Sequence, residues 1–137
     1  MIVSTRPFEF ILYVSDQDCS REFYRRLLNR APVTDVPGMC EFELNVGAVL
    51  GLMPAQGIAR IIQPALPHPA QGSGIPRCEL YVPVADADAS YIHALKCGAI
   101  PVQEPANRDW GHRVAYAADP DGHVLAFAAV VVKEDIA

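Results

Sequence analysis

The chain has no CxxC pair, no cluster of basic residues, and no apolar run near the roughly 20 residues that span a bilayer. Each absence removes a class of function. Cys19, Cys40, Cys78 and Cys97 are scattered, so neither a zinc knuckle nor a dithiol redox motif is spelled out. Four reduced thiols, mostly buried, are expected instead. The formal net charge is −5. Without a surplus of Lys and Arg to neutralise phosphates, nucleic acid is not an expected partner. The start of the chain, Met1 to Glu9, lacks a basic region followed by a long apolar stretch. No secretory signal and no membrane partner are therefore expected, and the expected compartment is the cytoplasm.

What is present is a pattern that occurs twice. Phe8 to Val14 alternates, with Phe10, Leu12 and Val14 on one face and Glu9, Ile11 and Tyr13 on the other, which predicts a strand. A helix follows over about Asp18–Asn29, with Cys19, Phe23 and Leu27 forming one apolar stripe. Asp16 or Asp18 can cap its first turn. Pro32 and Pro37-Gly38 then break the chain. Glu41–Val46 and Ala48–Met53 read as a hairpin around Gly47. At a shift of 70 positions, Glu79 to Asp86 repeats Glu9 to Asp16, and the D-x-D-x-S of Asp16, Asp18 and Ser20 returns as Asp86, Asp88 and Ser90. A helix at Asp88–Cys97 and a strand at Ile100–Gln103 follow. The last hairpin pairs Arg113–Ala118 with Val124–Val131 around Asp119-Pro120-Asp121-Gly122, where Pro presets φ and Gly accepts a positive φ. The modules are 7–54 and 77–131. The connector 55–76 is rich in Pro and Gly, with one short strand expected at Ile58–Ile62.

With these elements the chain resembles the vicinal oxygen chelate superfamily, which includes glyoxalase I, bleomycin-binding proteins, fosfomycin-resistance enzymes and extradiol dioxygenases. The residues that carry the resemblance are Phe10–Asp16 with the Phe23-Tyr24 helix, the restart at Glu79–Asp86, and Asp119 to Phe127. The resemblance implies an α+β fold of two βαβββ modules whose curled mixed sheets surround a cleft, often completed by a second subunit. It also implies four metal-ligand positions, one on the first and last strand of each module. Here they are Glu9, Gly51, Glu79 and Ala126. Gly51 and Ala126 have no ligating atom. Two carboxylates hold a hard cation only weakly, and zinc wants about four ligands. No cofactor is therefore expected first. A divalent metal on Glu9 and Glu79, with His112 as a third ligand, is the alternative.

The strand phase sorts the faces independently of the resemblance. Phe10, Leu12, Val14, Leu80, Val82 and Val84 are expected under the helices. The other face carries Glu9, Ile11, Tyr13, Glu79, Tyr81 and Pro83, a mixture typical of a pocket wall. Two readings of Glu9 and Glu79 stand. In one they are exposed strand residues or partners of Arg6, Arg77 or Arg113. In the other they share one cleft, where one pKa rises, a cation enters, or Arg113 neutralises them. A raised Glu is a candidate general base. Trp110, the only tryptophan, is either core or a stacking platform in its polar loop. Met53 lines the cleft or fills the core, and Tyr116 divides the same way. Asp119, Asp121 and His123 read as turn residues.

Three functions fit this sequence. The first is a small-molecule binder of the bleomycin-binding kind, without a tightly bound metal, using Tyr13, Met53, Tyr81, Trp110 and Arg113. The second is a lyase, isomerase or dioxygenase with a metal on Glu9 and Glu79. The third is an interaction module whose cleft is filled by a partner subunit. A homodimer is expected under each, because open sheets leave edges to cover.

Overall fold

A computed structural model describes residues 1–132. The chain divides into two compact units, Met1–Ser73 and Gly74 onward. Each is built on one four-stranded mixed sheet, giving an α+β protein with three α-helices among the described residues.

In the first unit the order is β1 (Phe8–Val14), α1 (Gln17–Leu28), β2 (Thr34–Val36), β3 (Met39–Asn45), β4 (Ala48–Pro54) and α2 (Ala55–Ile62). The sheet order is β1-β4-β3-β2, with β1 parallel to β4 and the other pairs antiparallel. The second unit repeats this with β5 (Glu79–Pro83), α3 (Ala87–Lys96), β6 (Ile100–Asn107), β7 (His112–Ala118) and β8 (Val124–Val130), in the order β5-β8-β7-β6. The 70-residue repeat is thus a repeat of topology.

The helix starts show how closely the copies agree. Asp16 caps α1 at φ −143 and ψ 111, accepting from the Cys19 N–H. Asp86 caps α3 at φ −142 and ψ 107, accepting from the Ala89 N–H. A carboxylate at this place satisfies one orphan amide and meets the positive end of the helix dipole. Helix α1 ends on Asn29 in the left-handed region, φ 52.

Ser20, Phe23, Tyr24 and Leu27 of α1 are buried, as are Val14, Cys40, Phe42, Leu50 and Leu52 of the sheet beneath it. Each fully buried Leu or Phe contributes about 1.5–3 kcal/mol of hydrophobic stabilisation. Phe10 departs from expectation at 58% exposed. The phase was read correctly, but β1 is an edge strand and α1 packs over β4 and β3, so the helix does not reach Phe10. β5 is also an edge, and Leu80, Val82 and Val84 are only half-buried.

Three further expectations change. Ile58–Ile62 lies in helix α2, not in a strand. Ala55, Ile58, Ala59 and Ile62 are buried or half-buried, a helical i, i+3, i+4, i+7 stripe that packs on β4 and β1. Strand β2 was not expected between its prolines. It is held by the side chain of Gln17, which donates to the Val36 carbonyl at 2.7 Å and accepts from the Gly38 N–H at 3.0 Å. Of the four thiols, Cys40 and Cys97 are buried while Cys19 and Cys78 are exposed. Among the described residues no helix is long and apolar enough to cross a membrane.

The Asp-Pro-Asp-Gly turn forms as read. Asp119 is fully buried, and its Oδ1 accepts from the N–H groups of Asp121 and His123, both at 2.9 Å.

Candidate functional site

Pairing across each sheet lines up side chains on one face, because directly paired residues point the same way. In the first unit one such row is Ile11, Gly51 and Glu41. In the second unit the corresponding row is Tyr81, Ala126 and Tyr116. The copies share a backbone plan and carry different chemistry on it.

The first row is acidic. Gly51 leaves space that the Glu9 carboxylate occupies, and a methyl group at 51 would collide with Glu9 Oε2 and approach Ile11 Cγ1 to 3.0 Å. Glu9 hydrogen-bonds to Glu41, whose Cα pairs with Gly51. Two carboxyl groups in contact must share a proton. Desolvation first, then the hydrogen bond to Glu41 and its charge, push Glu9 up to about 7. Glu41 was not among the sequence candidates. Strand alternation puts it opposite Phe42, but only the β3–β4 register brings it to Gly51. Tyr13 and Met53 pair on the same face, with Tyr13 39% exposed and Met53 half-buried.

The second row is aromatic. Tyr81 on β5 is the centre of a hydrogen-bond chain. Trp110 Nε1 donates to Tyr81 Oη at 2.7 Å. On the other side, His112 Nδ1 lies 2.6 Å from the same oxygen. Trp110 sits in a tight loop between β6 and β7, where Arg108 N–H donates to the His112 carbonyl at 2.8 Å. Gly111 takes φ +88 there, a conformation that favours glycine. Trp110 is 56% exposed and Tyr81 38%. Trp110 is therefore not core.

Tyr116 packs on the buried cluster of Val114, Ala126 and Ala128. Burial first, then the negative charge of Glu79, raises its phenol. The Arg108 guanidinium stands 5.3 Å from the centre of the Tyr116 ring. Arg108 Nη2 also donates to the carbonyls of Glu104 at 3.2 Å and Val114 at 3.0 Å. These carbonyls flank a bulge between Gln103 and Ala106, which contains Pro105 and so lacks one ladder N–H. Arg108 supplies the donors that the bulge removes. The proline inside a strand was the available signal for it.

Arg113 does not join the aromatic face. It alternates with His112 and Val114 and lies on the side where α3 packs. There it grips Asp88 at 2.7 and 3.0 Å and reaches Asn107 Oδ1 at 3.3 Å. An open groove of ≈290 Å³ beside it is lined by Asp88, Tyr91, Ile92, Glu104, Pro105 and Arg113. Its charges are largely satisfied by the Arg113–Asp88 pair.

The donors present do not fit a resident metal. Gly51 and Ala126 offer no ligand atom, and Glu9 is engaged with Glu41, while His112 is bonded to Tyr81 through Nδ1, so Nε2 is the one ring nitrogen left to it. Among the described residues no three His, Cys, Asp or Glu side chains are grouped as a metal centre requires.

A family model described as a glyoxalase-like domain matches residues 8–130. Solved structures agree with the fold. A glyoxalase-related enzyme from Fulvimarina pelagi is 22% identical, with a TM-score of 0.77 over 90% of this chain and 87% of its own. A glyoxalase/bleomycin resistance protein/dioxygenase from Nocardioides is 25% identical, with a TM-score of 0.73 over 96% of this chain and 89% of its own. Protein ATC0852 from Agrobacterium tumefaciens is 29% identical, with a TM-score of 0.73 over 93% and 98%. No curated protein matches.

Proposed function

The chain belongs to the glyoxalase-like domain family, whose model spans residues 8–130, and from that premise we propose that it binds a small aromatic molecule on the Tyr81 face of its second unit without a resident metal. The observation that supports this most directly is the pair Trp110 and Tyr81. Both rings are substantially exposed, yet each is fixed by the hydrogen bond between them. Exposed aromatic rings held in place lose little further freedom when a flat ligand stacks on them. Ala126, between Tyr81 and Tyr116, keeps the middle of the row low.

The metal-dependent alternative would need ligands that positions 51 and 126 do not supply. Glu9, raised to about 7 by burial and by Glu41, keeps the titration of a candidate general base, but it stands beside position 51, which offers no ligand atom.

Because Trp110 is the only tryptophan, its fluorescence reports this face alone. Titration with planar aromatic compounds, including 1-anilinonaphthalene-8-sulfonate and bleomycin, is expected to give saturable quenching with at least one of them. Tyr81→Ala is expected to weaken it. No change in Trp110 emission across the panel, or quenching indifferent to Tyr81→Ala, overturns the proposal.

A further inference from the structure

We propose that Tyr81 and His112 form a proton-accepting dyad for a phenolic ligand, with Trp110 holding the Tyr81 oxygen in place. It takes the ligand's location from the binding function above and adds what the site does to the ligand.

Donor and acceptor counting on one oxygen carries the inference. The Tyr81 hydroxyl has one hydrogen and two lone pairs. Trp110 Nε1 can only donate, so it occupies one lone pair. When His112 Nδ1 accepts the Tyr81 hydrogen, one lone pair is left, and Tyr81 is exposed enough to offer it outward. The partner for that lone pair is a hydrogen-bond donor on a ligand whose body stacks on aromatic rings. An aromatic hydroxyl group has both properties.

The transfer balances. The ligand's O–H proton passes to Tyr81 Oη as the proton on Tyr81 passes to His112 Nδ1. The products are a bound phenolate and an imidazolium, and no covalent bond forms to the protein. The Tyr81–His112 contact of 2.6 Å is within the reach that proton transfer requires, and the 2.7 Å bond from Trp110 holds the Tyr81 oxygen in place without taking part in the transfer. Tyr81 is the group that touches the ligand. His112 is a positioning residue that acts through it.

The probe is 4-nitrophenol, whose ionised form is read from its visible absorbance while Trp110 fluorescence reports binding. At fixed pH the phenolate-to-phenol ratio of bound probe is expected to rise about tenfold over free probe, the equivalent of one hydrogen bond. Tyr81→Phe and His112→Phe are expected to abolish that rise while quenching persists, which also shows that the site is still folded. In His112→Gly, added imidazole is expected to restore it at the same pH. Quenching without excess phenolate overturns the dyad and leaves the binding proposal standing. Excess phenolate that survives His112→Phe, or that imidazole fails to restore, also overturns it. No quenching with this probe or the aromatic panel overturns both.

Discussion

Trp110 Nε1 stands 2.7 Å from Tyr81 Oη, so a loop between two strands is tied to a strand at the far edge of the same sheet. The tie ends on the row in which Ala126 separates Tyr81 from Tyr116. Removing the N–H while keeping an aromatic ring tests its worth. Trp110→Phe is expected to cost about 0.5–1.5 kcal/mol in urea unfolding. It is also expected to raise hydrogen exchange in the loop from Arg108 to Gly111 and leave that of α1 unchanged.

The carboxyl pair predicts a pH dependence with a definite sign. Glu9 titrates at about 7 in the folded protein against an ordinary value of 4.5. The folded state therefore keeps a proton that the unfolded chain gives up, and stability falls as pH rises from about 4.5 to about 7. Glu9→Gln mimics the protonated form. Its melting temperature is expected to exceed that of the parent at pH 8 and to converge with it toward pH 5. Parallel curves across that range would show that the pair is not coupled to folding.

A methyl group at position 51 tests the same pair from below. Gly51→Ala is expected to displace the Glu9 carboxylate, the flexible end of the clash, while Ile11 gives by a few tenths of an ångström. Once Glu9 moves off Glu41 and toward water, its titration in carboxyl-selective NMR should fall from about 7 toward the ordinary glutamate range. An unchanged midpoint would mean that the space above Gly51 does not set it.

Arg108, half-buried, is predicted to matter for stability. Arg108→Met keeps most of the apolar stem but leaves the Glu104 and Val114 carbonyls without their donor. The expected loss is about 1–3 kcal/mol, most of it from hydrogen bonds and a smaller share from the contact with Tyr116. Arg108→Lys should recover only part of it, since an ammonium does not present the planar fork of a guanidinium. Urea midpoints for the two variants check this.

Much of the fold was legible because the same signals occur twice. Asp16 and Asp86 mark equivalent helix starts, and alternation fixes which way each strand faces. Where the signals were weaker, physical reasons account for it. The isoleucines of α2 suggested a strand by their branching, whereas their spacing with Ala55 and Ala59 is helical. Phe10 shows that alternation gives a face but not what covers it. The site was legible only in part. Tyr81, Trp110 and His112 were all candidates, but their bonding to one another depends on a loop that the sequence does not position. Glu41 was missed and Arg113 misplaced for a related reason. Which acid meets Glu9 depends on how β3 and β4 align, and which side Arg113 takes depends on where β7 begins.

The two matched rows have a consequence for how this architecture can change. One backbone address carries Ile11, Gly51 and Glu41 in the first copy and Tyr81, Ala126 and Tyr116 in the second. What one copy accommodates, the other need not: the methyl group that Ala126 carries would meet the Glu9 carboxylate at position 51, so new specificity in one copy has to change the row and its neighbours together.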